Sequence, residues 1–297
     1  MRLEQKATVV SMSVATILVI LKMIIGIFSG SIAVLASAID SLLDLTVSAF
    51  NFFALSQADQ EPDERFNYGK AKLEPLAAVV EGTIISISAL FVLYQAIIKM
   101  IHETPTTHLS ESILVMVISI IITGALVLFL GVIAKKTNNM VIRADALHYK
   151  TDLFSNGAVL LALGLISLTD LQIIDPILGI AIAVYMFYSA FPIIKEGILM
   201  LLDVALEEED IVKIKKILDA EEEINNYHYL HTRQAGSHIY ISVHLVFDLV
   251  ETLYDAHAVG DRIELRLKAL FPDHKVHTIV HLDPYDDSDI NDVENGY

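Results

Sequence analysis

The chain has 297 residues, of which 54% are hydrophobic and 19% are charged, and its formal net charge is −17 at pH 7. It contains no cysteine, which excludes disulfides, thiolate metal sites and cysteine nucleophiles. The acidic balance argues against nucleic acid as a partner, because phosphates are bound by basic surfaces.

The hydrophobic residues are concentrated in six long runs. With its flanks, each run supplies roughly the 20 residues that an α-helix needs to cross about 30 Å of hydrocarbon. The fifth run is the shortest, because the segment before it, RADALHYKTD, is polar. The sequence therefore predicts an α-helical polytopic membrane protein with six transmembrane helices. The apolar runs are Ala7–Phe28, Ile32–Leu55, Leu76–Met100, Ile113–Ala134, Leu153–Leu168 and Pro176–Ile194.

Basic residues in the short connections predict the orientation of these spans. Eight Lys and Arg residues precede the first span or lie in the second–third and fourth–fifth connections, whereas the opposite connections hold only Lys99. Because basic loops stay on the cytoplasmic side, we expect a multi-pass protein of the cell (inner) membrane with both termini in the cytoplasm. The eight residues are Arg2, Lys6, Arg65, Lys70, Lys72, Lys135, Lys136 and Arg143.

The chain changes character after about Asp203. From there to Tyr297 it has 21 Asp and Glu residues against 8 Lys and Arg residues, and it holds eight of the eleven histidines. This charge suits a cation as partner, although solubility alone is an alternative explanation. Helical spacing and strand alternation predict the order αββαβ. We predict a transmembrane domain over 1–203, a cytoplasmic α+β domain of ferredoxin-like or metallochaperone-like type over 204–283, and a disordered acidic tail over 284–297.

Two carboxylates fall near the middle of the second predicted span. Asp40 and Asp44 are four residues apart, so they share one helix face and lie about 6 Å apart along the axis. A charged side chain at mid-bilayer costs about 2.5–3.5 kcal/mol, and two neighbouring anions repel each other. A divalent cation would remove both costs. A pair of protonated, hydrogen-bonded acids is the alternative.

A second polar pair, His148 and Asp152, stands four residues apart at the start of the fifth span. Together with the two acids of the second span it supplies four nitrogen and oxygen ligands, enough for a tetrahedral metal site. Metal binds neutral imidazole and ionised carboxylates, so protons compete for the same ligands. The residue chemistry therefore predicts an exchange of metal for protons.

Two further charged residues lie within predicted spans. Lys22, in the outer half of the first span, is expected to extend towards the membrane surface, as long basic side chains do. Glu81, near the cytoplasmic end of the third span, is either a structural residue or a carboxylate on the path by which the cation enters.

The segments SGSIAVLASAIDSLLD and ADALHYKTDLFSNGAVLLAL closely resemble the cation diffusion facilitator family, in its bacterial zinc and ferrous-iron efflux branch. The resemblance covers essentially the whole chain. It implies a homodimeric exporter that exchanges divalent metal for protons by alternating access. The residues implied for its transport site are Asp40, Asp44, His148 and Asp152. The residues implied for a cytoplasmic metal site are His228, His244, His257, His281 and Asp283.

The resemblance also implies what the metals do. Zn²⁺ or Fe²⁺ is cargo in the membrane and a structural ion in the cytoplasmic domain, where it would hold two subunits together when metal is abundant. No prosthetic group is expected. In the loop over 57–75, Phe66 and Lys70 stand where several family members carry histidine ligands, so a further metal site there is expected to be absent or very weak.

Two other functions fit parts of the sequence. Three aspartates and a histidine could activate water in an intramembrane metalloenzyme, but no residue is left as an obvious general base. A passive channel needs ligands weak enough to release ions quickly, whereas four strong ligands would hold one ion until it is displaced. An antiporter is therefore the predicted function. Zn²⁺, Fe²⁺, Co²⁺, Cd²⁺ and Mn²⁺ are all compatible with this ligand set.

Overall fold

The computed structural model describes residues 2–29, 32–102, 110–169, 171 and 173–288. The chain divides into two compact units between Ile198 and Leu199. The first unit is helical, and the second contains the sheet.

Six long helices build the first unit within the described residues. Each has 27 to 30 residues, which is long enough to cross the hydrocarbon of a bilayer. They are α1 (Leu3–Ser29), α2 (Ile32–Ala58), α3 (Leu73–His102), α4 (Ser110–Thr137), α5 (Met140–Thr169) and α6 (Ile174–Leu201).

Helix α5 differs from the other five in composition. The others are long and apolar enough to be candidate membrane spans on those grounds alone. The first half of α5 carries charged and polar side chains, and two of them, Asp145 and His148, are buried inside the unit. The predicted helical membrane domain is confirmed, and α5 places an aspartate and a histidine in its interior.

Small side chains allow these helices to approach one another closely, as is usual in membrane bundles. Ala54 of α2 and Ala77 of α3 are at most 1% exposed. They share one apolar cluster with Leu130 of α4 and Val141 of α5. This cluster lies where α2 ends and where α3 and α5 begin.

The second unit has the predicted αββαβ order. Its elements are α7 (Glu208–Asp219), β1 (Asn226–Ala235), β2 (His238–Val246), α8 (Leu253–Leu270) and β3 (Lys275–Asp283). Strand β1 pairs antiparallel with β2, and β2 pairs parallel with β3. Gly236 allows the tight β1–β2 turn, because its φ of +55° is in the left-handed region.

One face of this sheet forms the core of the second unit. Ile239 and Ile241 of β2 pack with Ile214 of α7 and with Ile263 and Leu267 of α8, all of them nearly inaccessible to solvent. Tyr240, Ser242 and His244 alternate with these residues, point to the opposite face and are only partly buried. That second face carries the histidines.

Replacement of Gly197 by alanine is expected to destabilise the helical unit by about 1–3 kcal/mol, the usual effect of overpacking. A Cβ atom there would lie 2.5 Å from Cγ2 of Val79 and 3.1 Å from the carbonyl oxygen of Pro75. The measurement is thermal unfolding of the full-length chain in detergent. Gly131→Ala is the matched control, since a Cβ at that position meets no described atom within 4 Å. Equal melting temperatures for the two variants would contradict this packing.

Candidate metal centres

Helices α2 and α5 bring an aspartate–histidine–aspartate group together. The Nε2 atom of His148 lies 3.2 Å from Oδ1 of Asp44 and 3.7 Å from Oδ2 of Asp152. One ligand atom from each residue lies within 4.8 Å of the other two. We term these three residues the intramembrane cluster.

Helical spacing and one interhelical contact position this cluster. His148 and Asp152 are one turn apart on α5, so they occupy the same helix face. Tyr149, the neighbour of His148, is buried, and its hydroxyl lies 2.8 Å from the hydroxyl of Ser48 on α2. Because Ser48 is one turn from Asp44, this hydrogen bond joins the two helices close to the cluster.

The hydrogen bonds of the intramembrane cluster leave one carboxylate oxygen without a donor. The Oδ2 atom of Asp152 is buried and accepts no hydrogen bond, and His148 is 8% exposed. A buried acceptor without a donor costs about 1–3 kcal/mol. A divalent cation can be bound by all three side chains at once, through mixed nitrogen and oxygen ligands. The arrangement therefore suits a divalent cation and, when none is bound, protons.

Asp40, the fourth predicted transport ligand, lies outside this group. It is one turn of α2 away from Asp44, and its side chain is exposed. The described residues thus place three of the four predicted ligands together. A role for Asp40 as the fourth ligand stays a prediction.

The position of Lys22 corrects the expectation that it would extend to the membrane surface. Lys22 is only 7% exposed. Its Nζ atom donates to Oγ of Ser41 at 2.7 Å and to the carbonyl oxygen of Ser37 at 3.3 Å. Hydrogen-bond acceptors on α2 thus hold the ammonium group inside the unit, as is typical of charged residues that face a bundle interior.

In the second unit, strand register places three histidines side by side. His228 of β1 is paired with His244 of β2, and His244 is paired with His281 of β3. The ring centroids are 5.0 Å apart in the first pair and 4.5 Å apart in the second. Residues opposite each other on paired strands share one face of the sheet, so the three imidazoles form a row across it.

Asp283, the last residue of β3, contacts every histidine of this row. Its Oδ2 atom lies 3.1 Å from Nε2 of His228 and 2.9 Å from Nδ1 of His244. Its Oδ1 atom lies 3.0 Å from Nε2 of His281. The carboxylate is only 6% exposed, so its negative charge is held beside the imidazole nitrogens.

Asp287 joins this group, and the sequence did not single it out. Its Oδ1 atom lies 3.3 Å from Nε2 of His228. One ligand atom from each of His228, His244, Asp283 and Asp287 lies within 4.8 Å of the others. We term these four residues the soluble cluster. Two imidazoles and two carboxylates are a suitable ligand set for Zn²⁺.

Residues 284–288, at the start of the predicted disordered tail, have a defined structure. Asp286 accepts hydrogen bonds from the amide of Asn226 at 2.8 Å and from the backbone N–H of Ser288 at 3.1 Å. Hydrogen bonds, first from the side chain of Ser288 and then from Asn226, lower the pKa of Asp286 to about 2. The ionised carboxylate therefore fixes this segment beside β1, next to Asp287. Residues 289–297 of the predicted tail lie outside the described residues.

Two predicted ligands of the cytoplasmic site, His257 and His281, are not part of the soluble cluster. His281 contacts Asp283, but its side chain is 61% exposed. His257 lies on α8, 71% exposed, and its Nε2 atom is 3.7 Å from Asp261. Because α8 covers the core face of the sheet, His257 is on the other side from the histidine row. In the described structure, His257 therefore lies apart from the soluble cluster.

In the loop between α2 and α3, Phe66 and Lys70 contact each other. The Nζ atom of Lys70 lies 5.0 Å from the ring centroid of Phe66, which is a cation–π contact. Lys70 also lies 3.9 Å from Oδ2 of Asp63. The positive charge of the Lys70 ammonium disfavours binding of a metal ion to the Asp63 carboxylate.

Comparison with known proteins identifies both units. The model of the cation efflux transmembrane domain matches residues 8–202, and the model of the cytoplasmic domain of cation efflux proteins matches residues 206–285. Together they cover nearly the whole chain.

Full-length relatives agree with the family models. The chain is 34% identical to the cation-efflux pump FieF of Escherichia coli O139:H28 (strain E24377A / ETEC), over 283 residues that cover 95% of this chain and 93% of that protein. The same values hold for FieF of Escherichia coli strain K12 / DH10B. A solved structure of the zinc form of CzrB is 27% identical over 28% of this chain and 92% of that chain, with a TM-score of 0.26. A score this low adds nothing to the assignment.

Asp287→Asn is expected to weaken Zn²⁺ binding at the soluble cluster by about tenfold or more. It replaces an anionic ligand with a neutral amide, and even the loss of partners outside the ligand shell costs about 10–100-fold in affinity. The measurement is calorimetric titration of the full-length chain with Asp44 and Asp152 both changed to alanine. Asp273→Asn, which makes the same change at an exposed aspartate before β3, is the control. Equal affinities for both variants would remove Asp287 from the site.

Proposed function

The chain belongs to the cation diffusion facilitator family of cation efflux transporters, and from that premise we propose that it exports divalent metal ions in exchange for protons. It is a transporter and not an enzyme. The proposed cargo is Zn²⁺ or Fe²⁺, with Cd²⁺, Co²⁺ and Mn²⁺ as further candidates. The proposed ligands in the membrane are Asp44, His148 and Asp152, with Asp40 as the fourth.

The intramembrane cluster is the observation that carries this proposal. Three ligand atoms from two helices lie within 4.8 Å of one another inside the helical unit. No hydrogen-bond donor satisfies the buried Oδ2 atom of Asp152 in the described residues. A cation with two positive charges would neutralise the two carboxylates and would also be bound by the imidazole.

Proton exchange follows from the chemistry of the same ligands. Metal binding requires that the carboxylates are ionised and the imidazole is neutral, so bound metal excludes protons from these atoms. When the metal leaves, the cost of burying uncompensated charge favours protonation of the vacated ligands. A site that holds either metal or protons couples the two fluxes as α2 and α5 alternate between two arrangements.

The choice of metal is argued from the donor atoms. Imidazole suits Zn²⁺ and Fe²⁺, whereas carboxylate oxygens alone suit Mn²⁺ and Mg²⁺. His148 therefore favours the first two ions as cargo. The relatives in Escherichia coli are named cation-efflux pumps, which agrees with export of a cation.

The soluble cluster supports a separate, structural use of metal. The family match to this domain supports a homodimer. We propose that a metal ion bound by His228, His244 and Asp283, beside His281, stabilises the dimer when cytoplasmic metal is abundant, by mass action. His257 stays a proposed ligand of that site. In this arrangement the second unit and both termini lie in the cytoplasm, and no prosthetic group is required.

The double variant Asp44→Ala, Asp152→Ala is expected to reduce Zn²⁺ uptake into vesicles by at least about 100-fold, because two of the cargo ligands are lost. The measurement is Zn²⁺ uptake by the full-length chain in vesicles, with and without an imposed pH gradient, while the internal pH is followed. Wild-type uptake is expected to rise with the gradient and to be accompanied by proton movement in the opposite direction.

Asp175→Asn provides a control for this experiment. Asp175 is also an aspartate at a helix of the first unit, but it is paired with Lys99 at 2.5 Å and is outside the intramembrane cluster. It should transport Zn²⁺ at close to the wild-type rate. Zn²⁺ uptake at the same rate with and without the pH gradient would indicate a channel. A wild-type chain that transports no metal would contradict the proposed function.

A further inference from the structure

A second group of polar side chains lies in the interior of the helical unit. Asn51 of α2, Glu81 of α3 and Asp145 of α5 are at most 1% exposed. The amide nitrogen of Asn51 donates to Oε2 of Glu81 at 2.9 Å, and Asp145 interacts electrostatically with Glu81. We term these three residues the buried acid layer.

Each member of the layer has an oxygen atom without a partner. Glu81 Oε1, Asp145 Oδ1 and Asn51 Oδ1 are buried and accept no hydrogen bond in the described structure. The other carboxylate oxygens accept from neutral donors, Asn51 and the hydroxyl of Ser11 at 2.6 Å. Three buried acceptor oxygens, two of them from acids, thus lack a donor, and neither acid is paired with a lysine or arginine among the described residues. Such a group is stable only with added positive charge.

Helical spacing places this layer one to two turns from the intramembrane cluster, because Asp145 is three residues from His148. Asn51 follows Asp44 by seven residues on α2, and Asp145 precedes Asp152 by seven residues on α5. Seven residues are nearly two full turns and about 10 Å of rise, so each pair lies on one helix face. The two helices run in opposite directions, since the end of α2 and the start of α5 share one apolar cluster. The two polar groups therefore form successive levels in the unit.

The buried acid layer is the level nearer to the α2–α3 connection. Glu81 lies about one turn beyond Ala77, and Ala77 belongs to the apolar cluster at that end of the helices. Glu81 is eight residues from the start of α3, or about 12 Å. An ion that enters from this end reaches the layer before it reaches the intramembrane cluster.

We propose that the buried acid layer is a second cargo site, which holds a divalent cation in transit between the α2–α3 connection and the intramembrane cluster. The proposal rests on the proposed function, which supplies the cargo. The charge of two carboxylates matches that of the ion, and Asn51 adds a third oxygen ligand from a third helix.

The donor atoms suit a transit site. Oxygen ligands alone bind Zn²⁺ and Fe²⁺ less well than a set that includes imidazole. An ion would therefore move from a weaker site to a stronger one, and conduction along a path requires sites that release the ion. One proton can bridge only two oxygen atoms. A divalent ion can be bound by all three oxygens of the layer that lack a donor.

The test counts the Mn²⁺ ions bound by the purified full-length chain in detergent, with electron paramagnetic resonance reporting unbound Mn²⁺. The starting chain carries His148→Ala and Asp152→Ala, which disable the intramembrane cluster. Addition of Glu81→Gln and Asp145→Asn is expected to remove one bound Mn²⁺ per chain or to weaken its binding at least tenfold. Unchanged Mn²⁺ binding would overturn the proposal and leave the layer as a carrier of protons only.

Glu74→Gln in the same starting chain is the matched control. Glu74 is also on α3, seven residues before Glu81, and it is 2% exposed. In contrast to Glu81, it accepts a hydrogen bond from Asn139 at 2.9 Å and lies 3.9 Å from the guanidinium of Arg2. Its replacement should leave the Mn²⁺ count unchanged. An equal loss of Mn²⁺ would overturn the assignment of the ion to the layer.

A second measurement needs no substitution in either polar level. The chain carries His244→Ala and Asp283→Ala, so the soluble cluster cannot bind metal. Two Mn²⁺ ions held about 5–10 Å apart in the helical unit should broaden each other's resonance lines, and lines that stay sharp at saturation would overturn the proposal. Transport is measured separately: a chain that binds Mn²⁺ in the layer but moves no metal would contradict the proposed function and not the second site.

Discussion

Negative charge inside a low-dielectric helical unit is the constraint on which the rest of this structure depends. A charged side chain at mid-bilayer costs about 2.5–3.5 kcal/mol on insertion scales, and a buried acceptor without a donor adds about 1–3 kcal/mol. Asp44, Glu81, Asp145 and Asp152 are all partly or fully buried. Apolar packing alone does not offset such costs, whereas a cation shared by several ligands does. The fold is therefore organised so that these acids face one another and not the lipid.

Close helix packing makes this arrangement possible. Buried alanines such as Ala54 and Ala77 let the backbones approach, so that side chains from different helices meet at hydrogen-bonding distance. Neutral groups then hold the acids in position: the hydroxyl of Ser11 donates to Asp145, and the amide of Asn51 donates to Glu81. These neutral contacts fix the ligands without neutralising them, which leaves the charge available for an ion.

The sequence predicts the parts of this protein that depend on local spacing. Hydrophobic runs, alternation and pairs four residues apart are properties of single elements, so the helices, the αββαβ order and the three members of the intramembrane cluster could be recognised. Tertiary placement decides the rest. His257 is on the helix-covered side of the sheet, and Asp287 is brought back to His228 by the hydrogen bonds of Asp286. Lys22 is held inside by acceptors on another helix, and no pattern within α1 indicates this.

The two candidate metal centres differ in how their ligands are supported, and the difference supports the roles proposed for them. His228, His244 and Asp283 lie on strands that are paired along most of their length, so their spacing is fixed by backbone hydrogen bonds. Asp44 and His148 lie on two separate helices that are joined near the cluster by one hydroxyl contact. A small movement of α2 against α5 would change every distance in the intramembrane cluster while both helices stay intact. Fixed ligands suit an ion that stabilises an assembly, and ligands on movable helices suit an ion that must be released.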